Sequence, residues 1–405
     1  MANLESRISE FLQKDLHEQN KKANTDPFWE SLRATGTSLW LDTGDMDEAD
    51  ANWTAEMSAL TTNNTLLNNE IQKGIYDDFI SDARIIVKKL PTDEQVKEIA
   101  FMLNARHGLR LAYRFGGFVS VELHTDTAHD IKAIQYYGKR YHKINPRQFI
   151  VKVPYTPSGL LGARILKESG VRINFTLEFS ARENIFVTMI TRPDYVNVFL
   201  GRIGAFIADN NLGDGTGAGE MAVLSSQKWV TRLSALNPWP TKLIAASLRN
   251  YQQLELLAGT DVYTMPPKVA AAGHSHLQGA FVSRLSEKYP IGIKKSAEDA
   301  GIDNFWQVND VVLSLAESLS KKIPVSGEEL VDRARDAGCE DMFPVLSKNE
   351  EAVLSEDGKI PVYTHWENKI RKGKVSPDTL LTLAGLASFT KDQRMLDNRI
   401  NDIIG

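Results

Sequence analysis

The stretch FIVKVPYTPSGLLGARILKESGVRINFTLEFS (149–180) holds two apolar runs, FIVKVP (149–154) and VRINFT (171–176), with an amphipathic segment between them. Both runs are rich in Val, Ile and Phe, side chains that suit a pleated, buried surface. The same texture repeats on either side. SLWLDT (38–43), ALTTN (59–63) and FVSVEL (118–123) precede it, and YVNVF (195–199), KLIAAS (242–247) and DVYTM (261–265) follow. Amphipathic stretches such as TDEQVKEIAFMLNARHG (92–108) separate most of them. Strands alternating with helices predict a parallel sheet covered on both faces. Eight such runs favour closure into a (β/α)8 TIM-type barrel over residues 38–269. An open doubly wound sheet is the alternative that the pattern alone leaves.

Residues 1–37 read as an N-terminal helical segment, with Pro27 opening a second helix. Beyond residue 270 the strand texture ends. VNDVVLSLAESLSKK (308–322), GEELVDRARDAG (327–338) and PDTLLTLAGLASF (377–389) carry helical patterns, and Ser326 followed by Glu329 has capping-box spacing. Residues 270–405 therefore read as a helical C-terminal appendage. Its apolar faces must be buried against the outer helices of the barrel or against a second subunit, which leaves a homo-oligomer as one of two expectations. GDGTGAGEM (213–221) reads as a flexible loop between the sixth and seventh strands.

A net charge of -5 and the absence of a long Lys/Arg block argue against nucleic acid or an anionic membrane as the main partner. The opening MANLESRISEFLQKDLHEQNKK lacks the apolar centre of a secretory leader, and no run approaches the ~18 apolar residues of a membrane span. A cytoplasmic enzyme is expected. The single cysteine, Cys339, excludes an intrachain disulfide and reads as a small helical residue.

Polar residues planted in the apolar runs carry the chemistry. Asp42 ends the first run, Asn63 the second, Glu122 sits late in the third, Lys152 lies within the fourth, and Asn174 and Thr176 close the fifth. Arg202 follows the sixth run, and Ser247 and Arg249 follow the seventh. In parallel barrels the strand ends converge on one active site. A lysine inside FIVKVP places its amine in the barrel centre, where burial favours the neutral form that attacks a ketone. The alternative is a structural lysine paired with Glu122 or Asp42. Schiff-base chemistry needs one acid/base for carbinolamine formation and dehydration, and a second base as the carbon–carbon bond breaks; Asp42 and Glu122 supply two carboxyls. Arg202, Arg249 and Ser247 suit a phosphate, because guanidinium groups offer forked, charge-assisted hydrogen bonds. His274 and His276 form an H-x-H pair without a carboxylate partner motif, and 213–219 lacks dinucleotide or phosphate-loop spacing. No metal and no cofactor are expected.

Six ordered segments resemble the transaldolase family of Schiff-base barrels. They are LWLDTGD (39–45), ALTTNNTLL (59–67), residues 149–180, VFLGRIGAF (198–206), IAASLRN (244–250) and AGTDVYTMPPKV (258–269). The resemblance implies Lys152 as the Schiff-base lysine and Glu122 as the acid/base acting through a bound water held by Thr176. It implies Asp42 as the carboxylate that assists carbon–carbon cleavage. Asn63, Asn174, Asn197 and Phe199 are then substrate-binding, and Arg202, Ser247 and Arg249 grip the phosphate. The implied reaction moves a dihydroxyacetone unit between sugar phosphates, as in the pentose phosphate pathway. Release of free dihydroxyacetone, a sulfosugar substrate and a lapsed, sugar-phosphate-binding regulatory barrel are the rival readings. Glu122 and Phe199 favour transfer, because the aldolase branch resembles a Gln and Tyr pattern there. Three features depart from the family pattern. Asn64 replaces the usual proline, Asn197 stands where many members have serine, and the 270–405 appendage and the glycine-rich loop have no counterpart in short members.

Overall fold

The computed structural model describes residues 2–18, 23–235, 237 and 240–405. Eight parallel strands close into a barrel in sequence order: β1 (Ser38–Asp42), β2 (Met57–Thr61), β3 (Phe118–Glu122), β4 (Phe149–Pro154), β5 (Ile173–Thr176), β6 (Tyr195–Phe199), β7 (Lys242–Ala246) and β8 (Val262–Met265). Pairing of β8 with β1 decides for the barrel over the open sheet. The second strand lies two residues earlier than the sequence pattern places it. Asn63 is not its end but the N-cap of the helix Asn64–Gln72, where its Oδ1 accepts from Leu66 N at 2.9 Å. An asparagine there satisfies a helical N–H that would otherwise be orphaned.

Alternation along each strand sorts the barrel interior. Trp40, Ala59, Ile150, Ile244, Ala246 and Val262 form an apolar plug, joined by Phe118, Tyr195 and Phe199. The rings of Trp40 and Tyr195 meet edge to face at 4.7 Å. Further toward the C-terminal ends of β1–β5 the inward positions turn polar: Asp42 pairs in register with Thr61, Glu122 with Lys152, Lys152 with Asn174, and Pro154 with Thr176.

Outward-facing strand residues such as Leu41, Val121, Val151 and Phe175 belong to one hydrophobic core that continues through Phe305, Leu315, Leu330, Trp366 and Leu396. The appendage therefore shares its core with the barrel. Its helix Asp310–Lys321 packs on Ala181–Ile190, and Gly327–Asp336 packs on Pro157–Glu168. The last helix, Pro377–Ile404, lies on Asn64–Gln72, Asp77–Val87 and Thr92–Phe115. It extends well past the 377–389 pattern. At the other end, Pro27 does open a helix, Pro27–Ala34, capped by Asp26.

Three local expectations are corrected. The glycine-rich segment is no free loop: Gly215 N donates to Gly292 O at 3.1 Å, Gly292 N to Thr216 O at 2.9 Å, and Lys294 N to Leu212 O at 2.8 Å. A β-carbon on Gly213 would overlap the Gly292 carbonyl, so glycine is what allows the two backbones to meet. Residues 218–221 already form the first turn of the helix Ala218–Ser234. Ser326 accepts from Glu329 N at 3.2 Å, but the Glu329 carboxylate turns to Val325 N, giving half a capping box. Cys339 is buried between a helix and a 3-10 turn rather than within a helix. Among the described residues, no helix is long and apolar enough to cross a membrane.

Candidate active site

Strand register brings Glu122, Lys152 and Asn174 side by side on β3, β4 and β5, all facing inward. Lys152 is 4% exposed. Its Nζ donates to Thr62 O at 3.3 Å and stands 3.9 Å from Glu122 Oε2. That gap is too long for a direct hydrogen bond, so amine and carboxyl attract without saturating each other. The structural ion-pair alternative is thus only loosely met.

Burial is the largest influence on Glu122 and raises its pKa, with Asp42 adding to the rise. Lys152, the Asn64 N–H at 3.1 Å and Arg202 pull it back. Asp42, half-buried at the end of β1, is hemmed in by protein, and loss of hydration raises its pKa as well; the Lys152 charge and the Thr61 hydroxyl, 2.7 Å from Oδ1, oppose that. Two carboxyls held above their ordinary range around one amine are an acid/base arrangement.

Asn174 Nδ2 donates to Ser120 Oγ at 3.0 Å, while Asn174 Oδ1 and Thr176 Oγ1 are buried without a protein partner. Buried polar atoms are nearly always bonded, so such atoms beside Lys152 mark a place for a polar ligand. Thr176 also precedes Leu177, a non-glycine residue at φ 70. Asn197 donates from Nδ2 to Phe175 O and keeps an unpartnered Oδ1, and Phe199 caps the helix Leu200–Asp209.

Arg202, in the first turn of that helix, is buried, and its Nη1 has no protein partner. Burial and the like charge of Arg249 push its pKa down to about 10. Arg249 is exposed and lies over Gly201, where any β-carbon would overlap its side chain and the Ser247 carbonyl. Ser247 itself sits at φ 62. Strained non-glycine backbone of this kind concentrates at binding sites. Two guanidinium groups, one buried and under-bonded, form a place for an anion.

Sequence reasoning missed Phe389 of the helix Pro377–Ile404. Its ring lies 5.9 Å from Lys152 Nζ and 5.8 Å from Arg202 Cζ, so the appendage reaches over the lysine. Asp392 bonds Thr65 Oγ1 in the same region. Glu178, fully buried, was also missed; burial holds its carboxyl well above the usual range, and it accepts from Asn197 N at 3.3 Å. A carboxylate inside the run NFTLEFS was the available signal. His274 and His276 lie elsewhere, in the last turn of Pro267–His276, paired with Asp26 at 2.9 Å and stacked on Tyr251. Among the described residues, no group of three His, Cys, Asp or Glu is placed to hold a metal.

The sequence matches the Transaldolase/Fructose-6-phosphate aldolase family over residues 39–311, which runs past the eighth strand into the appendage. A probable transaldolase of Thermus thermophilus is 32% identical over 265 residues, covering 64% of this chain and 96% of the relative. The transaldolase of Schizosaccharomyces pombe is 29% identical over 252 residues, 59% of this chain and 75% of its own. That of Prochlorococcus marinus is 26% identical over 302 residues, 69% of this chain and 84% of its own. Matched over the whole barrel, the chain belongs to the transaldolase/fructose-6-phosphate aldolase family.

Proposed function

We propose that this enzyme moves a dihydroxyacetone unit between sugar phosphates through a Schiff base on Lys152. The observation that carries the reading is one buried amine facing two carboxyls of raised pKa at the strand ends. Lys152 Nζ adds to the ketone carbonyl carbon, and Glu122 passes a proton to the resulting hydroxyl so that it leaves as water and the imine forms. Thr176 Oγ1, unpartnered within the protein, suits the water through which Glu122 acts. Asp42 takes the proton of the donor's hydroxyl as the neighbouring carbon–carbon bond breaks. The aldehyde departs, and the bonding electrons pass into an enamine on Lys152. An acceptor aldehyde then adds to that enamine, and hydrolysis frees the product and the lysine.

Asn63 spends Oδ1 on its helix cap, so its amide NH2 is what it offers substrate. Asn174, Asn197 and Phe199 complete the sugar contacts, and Arg202, Ser247 and Arg249 take the phosphate. Glu122 and Phe199, where the aldolase branch resembles Gln and Tyr, support transfer over release. In this reading residues 38–269 are the catalytic barrel, 1–37 an N-terminal helical segment, and 270–405 a helical appendage without a catalytic centre of its own. Sugar phosphates are the substrates we propose for this site, and the cytoplasm is the compartment we propose for the reaction.

Borohydride reduction in the presence of fructose 6-phosphate, followed by mass spectrometry, tests it. The adduct is expected on Lys152 alone, and Lys152→Arg should lose both adduct and turnover, because a guanidinium does not give up its proton. Normal turnover by Lys152→Arg would sink the Schiff-base reading.

A further inference from the structure

Glu122 leans out of β3 toward the first turn of Asn64–Gln72, and its Oε2 meets two groups. One is the Lys152 amine at 3.9 Å; the other is the backbone N–H of Asn64 at 3.1 Å. Position 64 is where the resembling motif has proline, which has no N–H to donate. Proline would also suit the fold. Residue 64 is the first helical position, where a fixed φ and a missing N–H are tolerated best. The preceding Asn63 has φ -153 and ψ 172, extended backbone that a following proline accepts.

Asparagine at this position carries a cost instead. Its side chain is 1% exposed, and neither Nδ2 nor Oδ1 has a protein partner. Buried polar atoms left unbonded destabilise the fold. Fold stability therefore does not account for asparagine here. What the residue supplies, and proline cannot, is the N–H on Glu122.

We propose that Asn64 is a positioning residue of the reaction: its backbone N–H holds Glu122 Oε2 beside Lys152 and stabilises the carboxylate form. This rests on Glu122 acting as the acid/base. The other ionisable groups that bear on Glu122 are Lys152 on β4, Asp42 on β1, Arg202 on Leu200–Asp209, and the Tyr141 phenol on Ile131–Ile144; Asp392 on the last helix acts on Arg202. None of these is altered by a change at position 64.

The test compares pH profiles of kcat/KM for wild type, Asn64→Pro, Asn64→Ala and Glu122→Gln, all as full-length chains. Glu122→Gln identifies the limb that Glu122 controls. Alanine keeps the N–H and proline removes it. A hydrogen bond to a charged group is worth enough to move that limb upward by about one pH unit when it is lost. Asn64→Pro should show the shift, and Asn64→Ala should keep the wild-type limb. An unmoved limb in Asn64→Pro, or equal shifts in both variants, overturns the proposal. If Asn64→Pro does not fold, the wild-type Asn64 amide resonance decides. It should titrate with the same midpoint as the limb and stop titrating in Glu122→Gln; a flat amide resonance overturns the proposal. Full turnover by Glu122→Gln would remove the acid/base assignment instead, which separates the two failures.

Discussion

Arg202 is a buried cation with an unbonded nitrogen and a second cation, Arg249, as its near neighbour, and Asp392 and Glu122 offset its burial and that repulsion only in part. An anion between them relieves both the burial and the repulsion. Truncating a partner of a desolvated charged contact costs roughly 2–5 kcal/mol. Arg202→Ala should therefore raise the KM for a phosphorylated ketose by orders of magnitude, with a smaller effect on an unphosphorylated one. Exposed Arg249 should give a weaker version of the same split. Equal changes in both Michaelis constants would show that the arginines grip no phosphate. These residues were legible because charge inside or just after an apolar strand run is conspicuous. Phe389 was not, since one aromatic in an apolar helix looks like any other core residue until the helix is placed in space.

Among the elements, all eight strands could be read from short runs rich in Val, Ile, Leu, Phe or Thr, while the ends were less secure. In β2 the polar residues TTN (61–63) continued the apolar run, but Asn63 had left the strand to cap a helix. The glycine-rich segment misled for another reason: its partner, residues 290–294, lies far along the chain, and local composition carries no trace of that pairing. The helix Pro377–Ile404 was read from its first half, but its place over Lys152, where Phe389 covers the amine, was not. Phe389→Ala should admit water to the covalent intermediate, so that free dihydroxyacetone released per transfer rises severalfold while borohydride trapping persists. Phe389→Leu, which keeps the apolar cover, should stay near wild type. A coupled assay for dihydroxyacetone reads the ratio, and an unchanged ratio in the alanine variant would show that Phe389 does not shield the reaction.

For the whole molecule, the sequence divided the chain at residue 269, yet barrel and appendage are held together by a common core and buried polar ties. Arg182 on Ala181–Ile190 bonds Asp378 at 2.7 Å and pairs with Asp341 at 2.8 Å, and the Thr382 hydroxyl lies 2.8 Å from both Leu177 O and Glu183 Oε1. A chain truncated after Lys268 would leave Arg182 without these partners and expose the apolar faces now covered by Leu315, Leu330 and Leu396. Such a fragment should aggregate, as judged by the soluble fraction and by size-exclusion chromatography. A soluble truncated barrel with full turnover would instead make the appendage an independent module. The roof over Lys152 also has a consequence in time. On the ribosome the lysine strand emerges long before the helix that carries Phe389, and the core that the barrel shares with that helix stays incomplete until the last residues are out. Translation that halts between the eighth strand and the last helix would leave both the Lys152 amine and the shared core without their cover.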